Sequence, residues 1–282
     1  MSGARQFTID RSQRGVWRAT FANPPINMLG PAGIVELQSL VTELDADPEA
    51  RVIVFDSADP DFFIAHFDTA RGGELPREPG PSGFSPWIDV VVRLSRSPVV
   101  SIAKIRGRTR GVGSEFVLAC DLRFAGRQTA VLGQPEVGVG LPPGGGAMEW
   151  LPRLVGRSRA LEIILTGDDY DADLAERYGW VNRAIDDDRL DGFVDDLVQR
   201  LAAYDRGTLD ALKAQVGRVG VPTGLEMEAS NGMFWKALAS PASQVRRARL
   251  PEAGYGQRSD FEFNFGRRLP DLQPGSASKS AS

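Results

Sequence analysis

The chain has 282 residues, 42% of them hydrophobic and 25% charged, the profile of a folded globular protein with a sizeable core rather than a disordered or fibrous one. A formal net charge of −4 excludes a broad positive footprint, so nucleic acid is not an expected partner. Cys120 and His66 are the only residues of their kinds, which excludes an intrachain disulfide and a cysteine metal cage, and leaves a serine or cysteine triad one candidate base.

"QFTIDR" and "VWRATFA" flank the polar turn "SQRG" and predict a β-hairpin that opens the fold. Pro24 and Pro25 in "NPPINML" end that strand pattern. Ile34, Val35, Leu37, Leu40, Val41 and Leu44 recur at helical spacing and predict a helix from Gly33 to Leu44. "RVIVFDSA" reads as a buried strand, and 71–86, rich in Gly, Pro and charge, as a mobile surface loop. A helix in "WIDVVVRLSRS" and a strand in "PVVSIAKI" continue an alternation that argues for an α/β layer structure. Helical patterns over 146–166, 172–178, 190–217 and 225–239 make the last third mostly α. The tail "PGSASKSAS" has no apolar content and is expected to be disordered. No internal sequence repeat is visible. "MSGARQFTIDRSQRG" lacks the apolar core of a secretory signal, and no apolar run approaches the ~20 residues that span a bilayer. A cytoplasmic protein without a membrane partner is expected.

Two loops carry candidate chemistry. "RGVGSE" predicts a turn that aims the backbone N–H of Val112 into a cleft just before a helix, whose positive end reinforces that donor toward a developing oxyanion. Glu115 falls in the first turn of the same helix; the motif alone also suits an ordinary helix start with an acid placed for the dipole. In "GQPEVGVGLPPGGG", Glu136 sits among glycines and prolines that forbid regular structure, while Val137, Val139 and Leu141 imply partial burial. Two glutamates sharing a dry cleft repel, so one keeps its proton near neutral pH. That supplies one acid and one base.

The stretch from "SIAKIRGRTRGVGSEFVLACD" through "GQPEVGVGLPPGGG" and "LTGDDYDADLAERYGWVN" resembles the central signature of the crotonase (enoyl-CoA hydratase/isomerase) superfamily, over nearly the whole chain. The resemblance implies an α/β fold, a spiral of ββα units in 1–200 that carries the active site, then a helical trimerisation region in 201–272 and the tail 273–282. Trimers, often paired into hexamers, are implied as well. So is an acyl-CoA thioester whose carbonyl lies between two main-chain amides, Val112 N–H and Phe67 N–H, the latter in "FFIAHFD". Glu115 and Glu136 fall on the two catalytic glutamates of true hydratases, and Gly144 on a glycine near the reacting water. Substrate contacts are expected at His66, Gly113, Pro143, Gly144 and Trp87. No metal or redox cofactor is expected, CoA entering only as part of the substrate.

Departures from the family keep the reaction open. His66 and Phe67 put two bulky side chains where the family has small residues, and Val112 stands where it prefers glycine. His66 is read either as packed structure or as a group that touches substrate. Arg106, Arg108 and Arg110 alternate, which on an extended segment puts all three on one face, toward CoA phosphates, a neighbouring subunit or solvent. Arg267 and Arg268 resemble the basic end of a C-terminal helix near the CoA nucleotide. Phe62, Phe63, Trp87, Trp150, Phe234 and Trp235 are candidates for an acyl pocket or for core. The expected activity is hydration of an α,β-unsaturated acyl-CoA. Isomerisation or carbon–carbon cleavage on another carbonyl substrate, and a non-catalytic acyl-CoA binder, are the alternatives.

Overall fold

The computed structural model describes residues 5–272, so the expected disordered tail, 273–282, lies outside the described residues. The strands are β1 (Phe7–Asp10), β2 (Val16–Phe21), β3 (Val52–Ser57), β4 (Phe62–Ile64), β5 (Val100–Ile105), β6 (Arg108–Arg110), β7 (Leu122–Gly126), β8 (Val131–Gly133), β9 (Asp169–Asp171) and β10 (Arg183–Ile185). Helices α1 (Pro31–Ala46), α2 (Pro86–Arg96), α3 (Val112–Ala119), α4 (Ala147–Val155), α5 (Arg157–Thr166) and α6 (Ala172–Tyr178) are interleaved with them. The rest is helical: α7 (Asp187–Ala202), α8 (Arg206–Gly220), α9 (Gly224–Leu238), α10 (Pro241–Arg247), α11 (Leu250–Ala253), α12 (Asp260–Phe263) and α13 (Phe265–Arg268).

A six-stranded sheet runs in the order β1-β2-β3-β5-β7-β10, parallel except for the β1–β2 hairpin. A second sheet, β4-β6-β8-β9, is parallel except for β9. Three successive pairs, β3 and β4, β5 and β6, β7 and β8, each send a longer strand to the first sheet and a three-residue strand to the second. A helix follows each pair. The fold is therefore the crotonase spiral of ββα units, repeated in space without a sequence repeat.

The large sheet is buried on both faces, which is why its strands read as continuous apolar runs. Val52, Val54 and Ile102 pack against Leu190, Val194 and Val198 of α7, whereas Ile53, Phe55 and Ala103 face the main core around α3. Every residue of α3 is buried. Gly113 is required by that packing, because a Cβ there would lie 2.3 Å from the Ile64 carbonyl oxygen of β4. The C-terminal segment then folds back: Phe234, Leu250, Phe261, Phe265 and Leu269 bury Val139 and Leu141 of the Gly/Pro loop. Among the described residues, no helix is long and apolar enough to cross a membrane.

Several local expectations change. The pattern over 146–166 is two helices broken at Gly156, and 190–217 is covered by two helices. The Gly/Pro loop is partly regular, with a 3-10 turn over Pro135–Val139. The three arginines do not share one face, because Gly107, at φ +72°, turns the chain between Arg106 and Arg108. Arg106 bonds Asp191 on α7 at 2.9 and 3.1 Å. Arg110 is fully buried, bidentate to Asp169 at 2.7 and 2.8 Å, and donates to the carbonyl oxygens of Glu262 and Phe263. Arg108 also donates to the Phe263 carbonyl, at 3.1 Å. Two of the three arginines thus anchor the C-terminal segment, and all three are used within this chain. Arg268 likewise pairs with Asp260 and Asp271.

Candidate active site

Gly111 turns the chain from β6 into α3 at φ +51°, a conformation that favours glycine, and a Cβ there would lie 2.9 Å from a Glu136 oxygen. The turn therefore lets the Glu136 carboxyl approach the start of α3. Val112 is the first residue of α3, so its N–H has no acceptor inside the helix. Phe67 lies beside Leu29, where Leu29 N–H bonds the His66 carbonyl and Asp68 N–H bonds the Leu29 carbonyl. Among the described residues, the Phe67 N–H itself donates to no backbone carbonyl. Both amides belong to residues that border the same cavity.

That cavity has a volume of about 40 Å³. It is bordered by Phe67, Val112, Glu115, Glu136, Gly144 and Gly145, with Trp87, Asn231, Phe234 and Trp235 closing it. Glu115, 4% exposed, accepts the Gly145 N–H at 2.6 Å and the Ala147 N–H at 3.4 Å on one oxygen. Burial pushes it up to about 7; those two amides oppose the rise and nearby Glu149 adds to it. Burial also raises Glu136 well above the usual carboxylate range, and the charge of Glu115 raises it further. Its side-chain partner is Gln134, whose amide stands 3.4 Å from both carboxylate oxygens. Both carboxyls therefore hold protons to higher pH than free carboxylates do, and two charges in this buried site disfavour each other.

The aromatic wall comes from two ends of the chain. Phe67 meets Phe234 and Trp235 edge-on at 6.3 and 6.2 Å between ring centres. Gly144 makes room for this wall, since a Cβ there would fall 2.3 Å from Phe234. Asn231 ties the wall together by donating to the Gly144 carbonyl at 2.8 Å and accepting from the Trp235 indole at 3.0 Å. Of the six aromatic candidates, Trp87, Phe234 and Trp235 border the cavity. Phe62 packs with Ile26 and Ala65, and Phe63 and Trp150 belong to the main core.

His66 is placed differently from a group free to touch substrate. Its Nε2 bonds Glu262 at 2.9 Å, its Nδ1 bonds the Tyr255 hydroxyl at 2.9 Å, and its ring stacks on Tyr255. Both ring nitrogens are occupied by the C-terminal segment. His66 borders a second cavity of about 40 Å³, whose lining also includes Phe67, Val112, Glu136 and Tyr255. Gly113 and Pro143 are buried and border neither cavity. Among the described residues, no cluster of three or more His, Cys, Asp or Glu is placed to hold a metal ion.

Sequence reasoning missed Asn231, Tyr255 and Glu262. A lone amide on the buried stripe of α9, between Met227 and Phe234, was a usable signal, because a buried amide needs partners. Nothing local in "DFEF" pointed from Glu262 to a histidine 196 residues away.

The enoyl-CoA hydratase/isomerase family model matches residues 11–244. The crotonyl-CoA hydratase of Syntrophomonas wolfei is 33% identical over 58% of this chain, a match that spans 63% of that protein's own length. A protein of Mycobacterium bovis named as a probable enoyl-CoA hydratase is 30% identical over 81% of this chain and 85% of its own. The solved structure of a provisionally named enoyl-CoA hydratase from Streptomyces avermitilis superposes with a TM-score of 0.88 at 43% identity, over 97% of this chain and 99% of that one. The match of the family model over most of the chain and the shared spiral agree, and the chain belongs to the enoyl-CoA hydratase/isomerase family.

Proposed function

We propose that the protein is an enoyl-CoA hydratase that adds water across the double bond of an α,β-unsaturated acyl-CoA. The observation that carries this reading is two buried carboxyl groups bordering one cavity, both raised in proton affinity, beside the Phe67 and Val112 N–H groups, neither of which donates to a backbone carbonyl among the described residues. The thioester oxygen accepts from Phe67 N–H and Val112 N–H, which stabilise the enolate as it forms. Glu115 takes a proton from water as its oxygen bonds the β-carbon. Glu136 delivers a proton to the α-carbon. Proton exchange with solvent after release restores both groups. The sequence of steps needs no cofactor beyond the CoA of the substrate.

Hydration suits two carboxyls at one cavity better than isomerisation, in which one base can carry a single proton between carbons. A cavity of about 40 Å³ exceeds the ~10–15 Å³ that one water needs. The test is loss of the conjugated enone absorbance of crotonyl-CoA. Hydration by the wild type that vanishes in Glu136→Gln supports the proposal, and turnover untouched by that change refutes it.

The proposal extends to a homotrimer or a dimer of trimers. It is supported by α8, which buries no residue in this chain and leaves Leu212, Val216 and Val219 60%, 75% and 90% exposed. Light scattering that gives a monomer mass would reject this assembly.

A further inference from the structure

Trp87 sits in the first turn of α2, only 5% exposed, and its indole N–H has no hydrogen-bond partner among the described residues. An indole nitrogen donates and cannot accept, and buried donors are nearly always paired. Trp150 and Trp180 also hold unpartnered indoles, but Trp87 is the one that borders the cavity of Glu115 and Glu136. A Cβ on Gly145 would lie 2.1 Å from Trp87 Nε1 and 2.2 Å from Glu115 Oε2, so the two atoms crowd the same face of that glycine. Glu115 Oε1 is held by the Gly145 and Ala147 amides, while Oε2 accepts no hydrogen bond among the described residues. One free donor and one free acceptor thus stand side by side at a cavity large enough for a single water.

We propose that Trp87 N–H and Glu115 Oε2 form a subsite for one hydroxyl oxygen: the attacking water and, after addition, the β-hydroxyl of the product. The inference rests on the hydratase reading and adds to it a donor that neither glutamate supplies. The water donates one hydrogen to Glu115 Oε2 and accepts from Trp87 N–H, which leaves its other lone pair for the β-carbon. As the carbon–oxygen bond forms, the donated proton passes to Glu115 and the π electrons move to the thioester oxygen. The product hydroxyl keeps the Trp87 hydrogen bond until it leaves. Trp87 is then a catalytic residue in the strict sense, since it touches the reacting oxygen.

The experiment compares calorimetric affinities for 3-hydroxybutyryl-CoA and butyryl-CoA in the wild type and in Trp87→Phe, which keeps an aromatic ring and removes the N–H. Crotonyl-CoA hydration is measured in parallel. The affinity ratio in favour of the hydroxy compound is expected to fall by about three- to tenfold in the variant. Butyryl-CoA affinity stays unchanged, and kcat falls with little change in KM. An unchanged ratio in a variant of a working hydratase overturns the Trp87 assignment alone. An equal loss for both ligands also overturns it, because that is lost packing. If the wild type binds neither thioester, the hydratase reading falls and takes this inference with it. Benzothienylalanine at position 87 keeps the bicyclic shape without the N–H and decides the matter if Trp87→Phe does not fold.

Discussion

Glu115 and Glu262 are almost equally sealed from solvent, 4% and 0% exposed, yet their carboxyl groups are driven in opposite directions. Burial pushes both up. At Glu115 only two backbone amides oppose it, and a second acid, Glu149, reinforces it, so the group settles near 7. At Glu262 the same burial is outweighed by His66, through charge and hydrogen bond, by the Gly256 N–H at 2.7 Å and by Arg110, so the group stays below the ordinary range. Depth does not make a proton-transfer group; a missing counter-charge does. One carboxyl is held ready to exchange a proton, and the other is a fixed anion that pins His66, the neighbour of Phe67.

The largest break of this contrast comes from neutralising the cavity side. Glu115→Gln and Glu136→Gln should each lower crotonyl-CoA hydration by about 100- to 10,000-fold, the usual weight of a general acid or base. Butyryl-CoA affinity should change little, since both variants preserve shape. Calorimetry and steady-state kinetics together check this. A variant that loses binding and turnover in equal measure would make the carboxyl a binding group.

On the other side, His66→Ala leaves the buried Glu262 carboxylate with the Gly256 N–H but without its imidazole partner. Breaking a buried pair from one side costs about 3–5 kcal/mol. For a chain of this size that is a fall in Tm of about 10 °C, measurable by calorimetry. Turnover should fall less than in the glutamate variants, because the imidazole acts on the Phe67 loop and not on substrate. A variant with wild-type stability and no turnover would reverse the assignment and place His66 in the chemistry.

The contrast also marks what could be read from the chain alone. Glu115 and Glu136 were legible because each lies in a Gly- or Pro-rich turn whose backbone demands are local, and because those turns match a family pattern. The opening hairpin and the strand at Val52–Ser57 were legible from periodicity for the same reason. The repeated ββα unit was legible through the family resemblance and not from periodicity, since β4, β6 and β8 are three residues long and exist by pairing with one another. Arg110 stayed open between CoA phosphates, a neighbouring subunit and solvent until Asp169 and the carbonyls of 262 and 263 were brought to it. The partners of His66, 189 and 196 residues away, carry no local signal at all.

The finest separation of the two carboxyls is in how stability depends on pH, where they should have opposite signs. Glu115 has a folded value near 7 against about 4.5 in the unfolded chain, so between those limits the native state holds the extra proton. Stability must then fall as pH rises through that window, by about 3 kcal/mol if the group acts alone. Glu262 lies below 4.5 when folded, so the unfolded chain binds the proton first and stability falls as the solution is made more acid than about pH 4.5. Denaturant titrations at a series of pH values resolve the two arms. Glu115→Gln should make the neutral arm shallower, the rest of it coming from Glu136 and Glu149, and leave the acid arm, whereas Glu262→Gln should make the acid arm shallower, the rest of it coming from groups such as Asp191 and Glu226, and leave the neutral one. If Glu115→Gln leaves the neutral arm as steep as in the wild type, Glu115 is already ionised well below pH 7, and the acid and base roles assigned to the two cavity glutamates lose their physical basis.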